Sequence, residues 1–414
     1  MFLFLETLNL CFDSKKGSQA NDEEKFESAD MMMLRSALLR RSGVRSMSSL
    51  PATMQAVCFV EPFKVETRQV ATPAVESPTD VVLRITLSAI CGSDLHPYRG
   101  AEVGLDEGTV MGHEFVGVVA AKGEAVELEI GARVCVPFTT NCGECFFCKC
   151  GLTCRCDQGQ LFGWVETHGG VVSGLHGGQA EYVRVPLADA TCVPVPPTHS
   201  DEQALLLGDI LSTGFHCAKG GDLQEGGACV VVGCGPVGLM AVASAKALCP
   251  SGTVIAVDGA DNRLQMAKSL GADHVLSDLE GAVAAVKELT GGRGADSVLE
   301  IVGSKPAMAL AFAAMRPGGT LSSVGVHAYE TAAWSPVDAY DSNITFRAGR
   351  CPARAVMSEA KGVFDSLGSS TWTNLQQIVT HRVSLAEAPA LYEQFNQQAP
   401  GTVKVLLLPD GGSE

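Results

Sequence analysis

Residues 228–245 read ACVVVGCGPVGLMAVASA, and this stretch decides the fold. The five apolar residues Ala228 to Val232 are strand-length and run directly into Gly233-Cys234-Gly235-Pro236-Val237-Gly238, after which the pattern turns helical. G-x-G-x-x-G between a strand and a helix is a phosphate-cradling turn. The first glycine allows the tight bend, the second lets a pyrophosphate approach the backbone, and the third lets helix and strand pack closely. Free N–H groups at the helix start then face the phosphates. Asp258 closes the next apolar run, TVIAVD, 20 residues after Gly238. A carboxylate there accepts hydrogen bonds from adenosine ribose hydroxyls and repels a 2′-phosphate, which favours NAD over NADP. The same stretch is the best candidate for a bilayer span, but its glycines and proline suit strand, turn and helix better, so no membrane partner is expected.

Working outward, TVIAV, SVLEIV and TLSSVGV repeat the buried-strand pattern, and helical stretches such as NRLQMAKSLG, AVAAVKELT and AMALAFAAM separate them. Strands alternating with helices predict a doubly wound parallel sheet, here over residues 211–344. Residues 54–210 read differently, as short strands and long loops (MQAVCFV, DVVLRITLSAI, GHEFVGVVAAKG, GARVCVPF), and residues 345–414 return to that mixed pattern, ending in VKVLLL. The expectation is an α/β chain in which a mainly-β domain is interrupted by a doubly wound one.

The 414 residues are 46% hydrophobic and 18% charged, ample for buried cores. Thirty Lys+Arg against 46 Asp+Glu give a net charge of -16, and so acidic a surface repels phosphate backbones, which argues against a nucleic-acid partner. Residues 1–53 do not resemble the rest. After an acidic stretch, Met31, Met32 and Met33 precede LRSALLRRSGVRSMSSLPA, which is rich in Arg and Ser and holds no acid. That is the composition of an organelle transit peptide, and a start at one of the three methionines would put it at an N-terminus, with a mitochondrial destination expected ahead of a plastid or the cytoplasm.

Of 16 cysteines, six fall between positions 142 and 156. A dense local cluster in a large chain reads as a metal site rather than a disulfide framework. Cys142, Cys145, Cys148 and Cys156 supply four thiolates with no open position, as suits a closed tetrahedral zinc. An iron–sulfur run would want its fourth cysteine at position 152, which is Leu152. Cys150 and Cys154 are left over.

A second constellation is spread along the chain: Cys91-Gly92-Ser93-Asp94-Leu95-His96, then Gly112-His113-Glu114, then Gly208-Asp209 followed by Ile210-Leu211-Ser212-Thr213-Gly214. With the four-cysteine lobe and the glycine turn, these boxes make residues 54–408 resemble the zinc-dependent alcohol dehydrogenases, medium-chain dehydrogenases with a GroES-like catalytic domain and a Rossmann domain. The resemblance implies two zincs per chain and NAD. Cys91 and His113 correspond to catalytic zinc ligands. The third ligand, often cysteine, falls on Asp209, whose alternative role is to cap the following helix. Asp94 corresponds to the acid that fixes the zinc-bound histidine, and Glu114 sits beside the metal.

The reaction so implied is reversible hydride transfer from a primary or secondary alcohol to NAD, giving an aldehyde or ketone. Zinc lowers the alcohol pKa, Ser93 takes the proton, and His96 passes it to solvent. Thr213 corresponds to the residue behind the nicotinamide ring. Lys404 is expected near the pyrophosphate, and Arg350 is a weaker phosphate candidate. A homo-oligomer, dimer or tetramer, is implied. Polyol, threonine-type or formaldehyde dehydrogenation are the alternatives, and outside enzymes a zinc-stabilised redox or binding protein.

Overall fold

A computed structural model describes residues 50–409 apart from Ala328 and Glu330. The stretch read as a transit peptide lies outside these residues. The described residues from Leu50 onward form one compact unit built on two large sheets. The first has six strands, all parallel, in the order His274–Leu276, Thr253–Val257, Ala228–Val232, Ala295–Glu300, Met315–Ser323 and Thr345–Ala348. Its central strands are buried on both faces, which is why ACVVV and TVIAV read as continuous apolar runs rather than alternating ones. The chain leaves Ala228–Val232 first toward Thr253–Val257 and later crosses back to Ala295–Glu300 on its other side. That reversal opens a crevice at the carboxyl ends of the strands, where ligands bind in such sheets. The sheet extends past the expected boundary at residue 344, because Thr345–Ala348 pairs with Met315–Ser323 before the chain turns back.

The second sheet has seven strands. Val81–Ile90 is central, with Phe115–Lys122 and Tyr182–Val185 both antiparallel to it. The terminal strand Lys404–Leu408 also pairs with it, Val405 opposite Ile90 and Leu406 opposite Ala89. The strand Lys404–Leu408 thus lies beside the strand that delivers Cys91. Helix Ile210–Gly220 packs on helix Pro236–Leu248, burying Leu211, Phe215, Leu239 and Met240 in a core common to both sheets. This fixes the Asp209 end of one helix relative to the glycine turn at the start of the other.

Candidate active site

Cys91 leaves the end of the strand Val81–Ile90, His113 and Glu114 precede Phe115–Lys122, and Asp209 stands between helices Asp201–Gly208 and Ile210–Gly220. One ligand atom from each of Cys91, His113, Glu114 and Asp209 lies within 4.8 Å of the others, and all four residues are buried. Asp209 Oδ2 is 3.4 Å from His113 Nε2 and 3.8 Å from Cys91 Sγ. Asp209 makes no side-chain cap on the helix it precedes, so the capping role does not account for it. Its Oδ1 accepts from the Thr213 hydroxyl at 3.0 Å.

Asp94 orients this set. Its Oδ1 accepts from His113 Nδ1 at 3.0 Å, which leaves Nε2 facing the cluster. Its Oδ2 accepts from the Cys91 N–H at 2.9 Å and from Gln179 Nε2 at 3.1 Å. Gln179 is fully buried, and Tyr392 donates to its Oε1 at 2.9 Å. No sequence motif announces Gln179. The nearest signal is Gly112, at φ +90°, where an added Cβ would come within 2.3 Å of the Gln179 side chain. Ser93 Oγ lies 3.1 Å from His113 Nε2 and 3.3 Å from Cys91 Sγ, and His96, on the short helix Leu95–Tyr98, is half-buried.

The donor set fits a divalent cation. Burial pushes the Cys91 thiol up to about 11. Burial also opposes charge on His113, yet Asp94 and Cys91 hold it well above the ordinary imidazole range. A coordinated cation replaces such protons, since a ligating thiol is deprotonated outright. Glu114 Oε1 is buried without a hydrogen-bond partner among the described residues.

Lys404 departs from expectation. It is not at the glycine turn but fully buried behind the cluster, with Nζ bonded to Glu114 Oε2 and to the Ile90 carbonyl oxygen. Burial disfavours its charge, but Glu114, Cys91 and Asp209 together outweigh this and raise its pKa. Strand pairing, invisible in the local sequence, carries it there.

In the cysteine lobe, the sulfurs of Cys142, Cys145, Cys148 and Cys156 lie within 4.8 Å of one another. Backbone N–H groups of Cys142, Cys145 and Cys148 donate to sulfurs of the set at 3.2 to 3.5 Å. The N–H groups of Asp157 and Cys148 pull Cys145 down to about 7, toward the thiolate a metal needs. Cys150 and Cys154 bond to the carbonyls of Phe147 and Arg350 and stand outside the four.

At the glycine turn, Gly233 has φ +92°, a conformation L side chains rarely adopt. A Cβ on Gly238 would sit 1.8 Å from the Gly233 carbonyl oxygen, whereas one on Gly235 would meet nothing within 4 Å. The third glycine is therefore required by the protein itself, while the second faces open space suited to a pyrophosphate. Pro236 and Val237 open the helix. Asp258 Oδ2 accepts from the Cys234 N–H at 2.7 Å, bracing the turn, and lies 3.5 Å from Arg263 Nη1.

An apolar wall leads away from the ligand cluster. Phe138 stands perpendicular to His113, with ring centroids 6.4 Å apart, and packs with Cys351 and Leu161. Leu161 continues into a cleft of about 380 Å³ lined also by Trp164, Val103, Glu102 and Arg350. Arg350 thus sits at the cleft rather than at the glycine turn.

Comparison with known proteins gives matches over both sheets. Residues 77–197 match the alcohol dehydrogenase GroES-like domain, and residues 236–366 match the zinc-binding dehydrogenase domain. A zinc-type alcohol dehydrogenase B of Aspergillus flavus is 41% identical over 83% of this chain and 79% of its own length. An alcohol dehydrogenase of Cupriavidus necator is 34% identical over 87% of this chain and all of its own. Among solved structures, alcohol dehydrogenase TADH from Thermus sp. ATN1 superposes with a TM-score of 0.78 at 36% identity, covering 86% of this chain and 99% of that one. A zinc-binding dehydrogenase from Sinorhizobium meliloti, solved with NADP, has a TM-score of 0.70 at 25% identity and covers 87% of this chain and 100% of its own.

Proposed function

The chain belongs to the zinc-dependent alcohol dehydrogenase family and is an alcohol oxidoreductase, and from that premise we propose that it oxidises alcohols with an apolar body, using NAD in preference to NADP. The convergence of Cys91, His113, Glu114 and Asp209 from three separate stretches of chain carries this reading. We assign Cys91, His113 and Asp209 as ligands of a catalytic zinc and the four-cysteine lobe as holder of a second, structural one. A zinc ion held by the first set supplies Lewis acidity that lowers the pKa of the alcohol.

The protein's own groups do the rest. Asp94 fixes the His113 tautomer so that Nε2 faces the cluster. The Ser93 hydroxyl, beside Cys91 and His113, accepts the alcohol proton, and half-buried His96 carries it toward water. A nicotinamide cofactor held at the glycine turn would supply the hydride acceptor, so that the alcohol would leave as an aldehyde or ketone. Lys404 holds Glu114 from behind. The Phe138, Leu161 and Trp164 wall gives an apolar substrate body a surface to pack on, with Glu102 and Arg350 the polar groups of the same cleft.

Asp258 supports NAD, because its carboxylate repels a 2′-phosphate. A homo-oligomer is supported by the edge strand Thr345–Ala348, exposed along its whole length, beside Tyr340 at 82% exposure. The test is NADH absorbance across aliphatic, aromatic and polyhydric alcohols, together with zinc analysis. Asp209→Ala should lower zinc from two to one per chain and abolish alcohol oxidation. Two zincs retained in that variant would refute the ligand assignment.

A further inference from the structure

The carboxyl ends of strands Ala295–Glu300 and Met315–Ser323 carry a polar chain that the chemistry above does not use. Glu300 is fully buried, and its Oε1 accepts from the N–H groups of Val302 at 2.9 Å and Gly303 at 2.7 Å. Its Oε2 accepts from the Ser323 hydroxyl at 2.7 Å. Ser323 Oγ in turn lies 2.9 Å from His327 Nε2, which is 3.9 Å from Glu300 Oε2.

Proton counting assigns the tautomer. A serine hydroxyl has one hydrogen, and a carboxylate that receives two N–H groups and a hydroxyl is an acceptor only. The Ser323 hydrogen is therefore committed to Glu300, and a lone pair of Ser323 faces the imidazole. Nε2 must carry the hydrogen and donate it. That leaves Nδ1 as the acceptor of the neutral ring, with no hydrogen bond to it among the described residues. Tyr329 packs edge-on at 5.3 Å and holds the ring plane from a second side. Glu300 and Ser323 have a structural use in closing the 301–303 turn. That use does not require an oriented, solvent-facing imidazole at its end.

The position of the ring supplies a use. Ile301 N–H donates to the Val232 carbonyl, and a Cβ on Gly233 would come within 2.4 Å of Val302, so the 301–303 turn abuts the glycine turn. Gly325 packs in turn against Gly303, where an added Cβ would lie 2.2 Å from the Gly303 nitrogen. His327 follows two residues later. In the sheet, the Asp258 strand flanks the glycine turn on one side, and the Glu300 and Ser323 strands flank it on the other. A dinucleotide with its adenosine half over Asp258 and its pyrophosphate at the glycines lays its other half across the Glu300 and Ser323 side.

We infer that His327 is a cofactor-binding residue, its imidazole held by Ser323 and Glu300 so that Nδ1 accepts a hydrogen bond from the nicotinamide half of the dinucleotide. This rests on the dinucleotide reading above. A ribose hydroxyl or the carboxamide N–H of that half provides the donor.

The test is equilibrium binding of NADH, by fluorescence, and of ADP, by competition, with zinc-loaded enzyme. ADP carries the adenosine and pyrophosphate but lacks the nicotinamide half. His327→Ala should weaken NADH about tenfold, the value of one hydrogen bond, and change ADP less than twofold. Ser323→Ala, which frees the imidazole without removing it, should give a smaller loss confined to NADH. Unchanged NADH affinity in His327→Ala overturns the inference, as does an equal loss for both ligands, which would mark general damage to the cleft. A wild-type protein that binds neither ligand would instead sink the dinucleotide reading itself.

Discussion

Alanine at Gly235 and at Gly238 should produce opposite patterns of damage, because one glycine answers to a ligand and the other to the protein. At Gly238 the added Cβ would stand 1.8 Å from the Gly233 carbonyl oxygen, so helix and strand must separate by more than 1 Å to reach even a tight contact near 3.0 Å. Overpacking of that kind costs roughly 1–3 kcal/mol. With unfolding entropy near 2.1 cal/mol/K per residue over about 365 residues, Tm should fall by roughly 1–4 °C. The shift also tilts the amides at the start of helix Pro236–Leu248. At Gly235 the new methyl meets nothing within 4 Å, and its backbone, at φ -65° and ψ -176°, is open to any residue. Stability without ligand should stay within about 0.5 kcal/mol of the parent. The methyl then occupies the space a pyrophosphate needs, so NADH affinity should fall by about a hundredfold or more, the equivalent of roughly 3 kcal/mol of lost approach. Scanning calorimetry without nucleotide and NADH titration by fluorescence measure the two effects separately. Parental NADH affinity in Gly235→Ala, or an unshifted Tm in Gly238→Ala, would refute this account of the turn.

Lys404→Met should destabilise the protein by about 3 kcal/mol, because it strands the buried Glu114 carboxylate, while NADH affinity stays within twofold. Adding Glu114→Gln should restore part of the stability; a tenfold NADH loss in the single variant would return Lys404 to the pyrophosphate. Cys148→Ser should lower Tm and remove one zinc while the remaining folded enzyme keeps a near-parental KM, and unaltered zinc content would undo the structural assignment of the four-cysteine lobe. Asp258→Ala should weaken NAD and narrow the NAD/NADP ratio of kcat/KM, since Arg263, 3.5 Å from the carboxylate, is then free for a 2′-phosphate. An unchanged ratio would show that discrimination lies elsewhere.

What the sequence determined by itself was whatever is encoded within a few residues. The glycine turn is legible because its φ demands and close contacts belong to one strand–turn–helix unit, and the four cysteines are legible because one short lobe holds them all. Cys91, His113 and Asp209 were legible only through the resemblance, since 22 and 96 residues separate them and no local rule joins them. What needed the tertiary structure was every partnership made by strand pairing. The antiparallel register of Val405 on Ile90 carries Lys404 to Glu114 across 290 residues, and a lysine in an apolar run offers no hint of it. Gln179, outside any strand, and Tyr392, on helix Ala388–Asn396, meet across 213 residues to brace Asp94. Thr345–Ala348 joins the parallel sheet although all four residues are exposed, so no apolar pattern marks it as a strand. A buried ion pair or a bracing amide depends on which strands, helices and loops lie side by side, and that is a property of the whole chain's packing rather than of any segment.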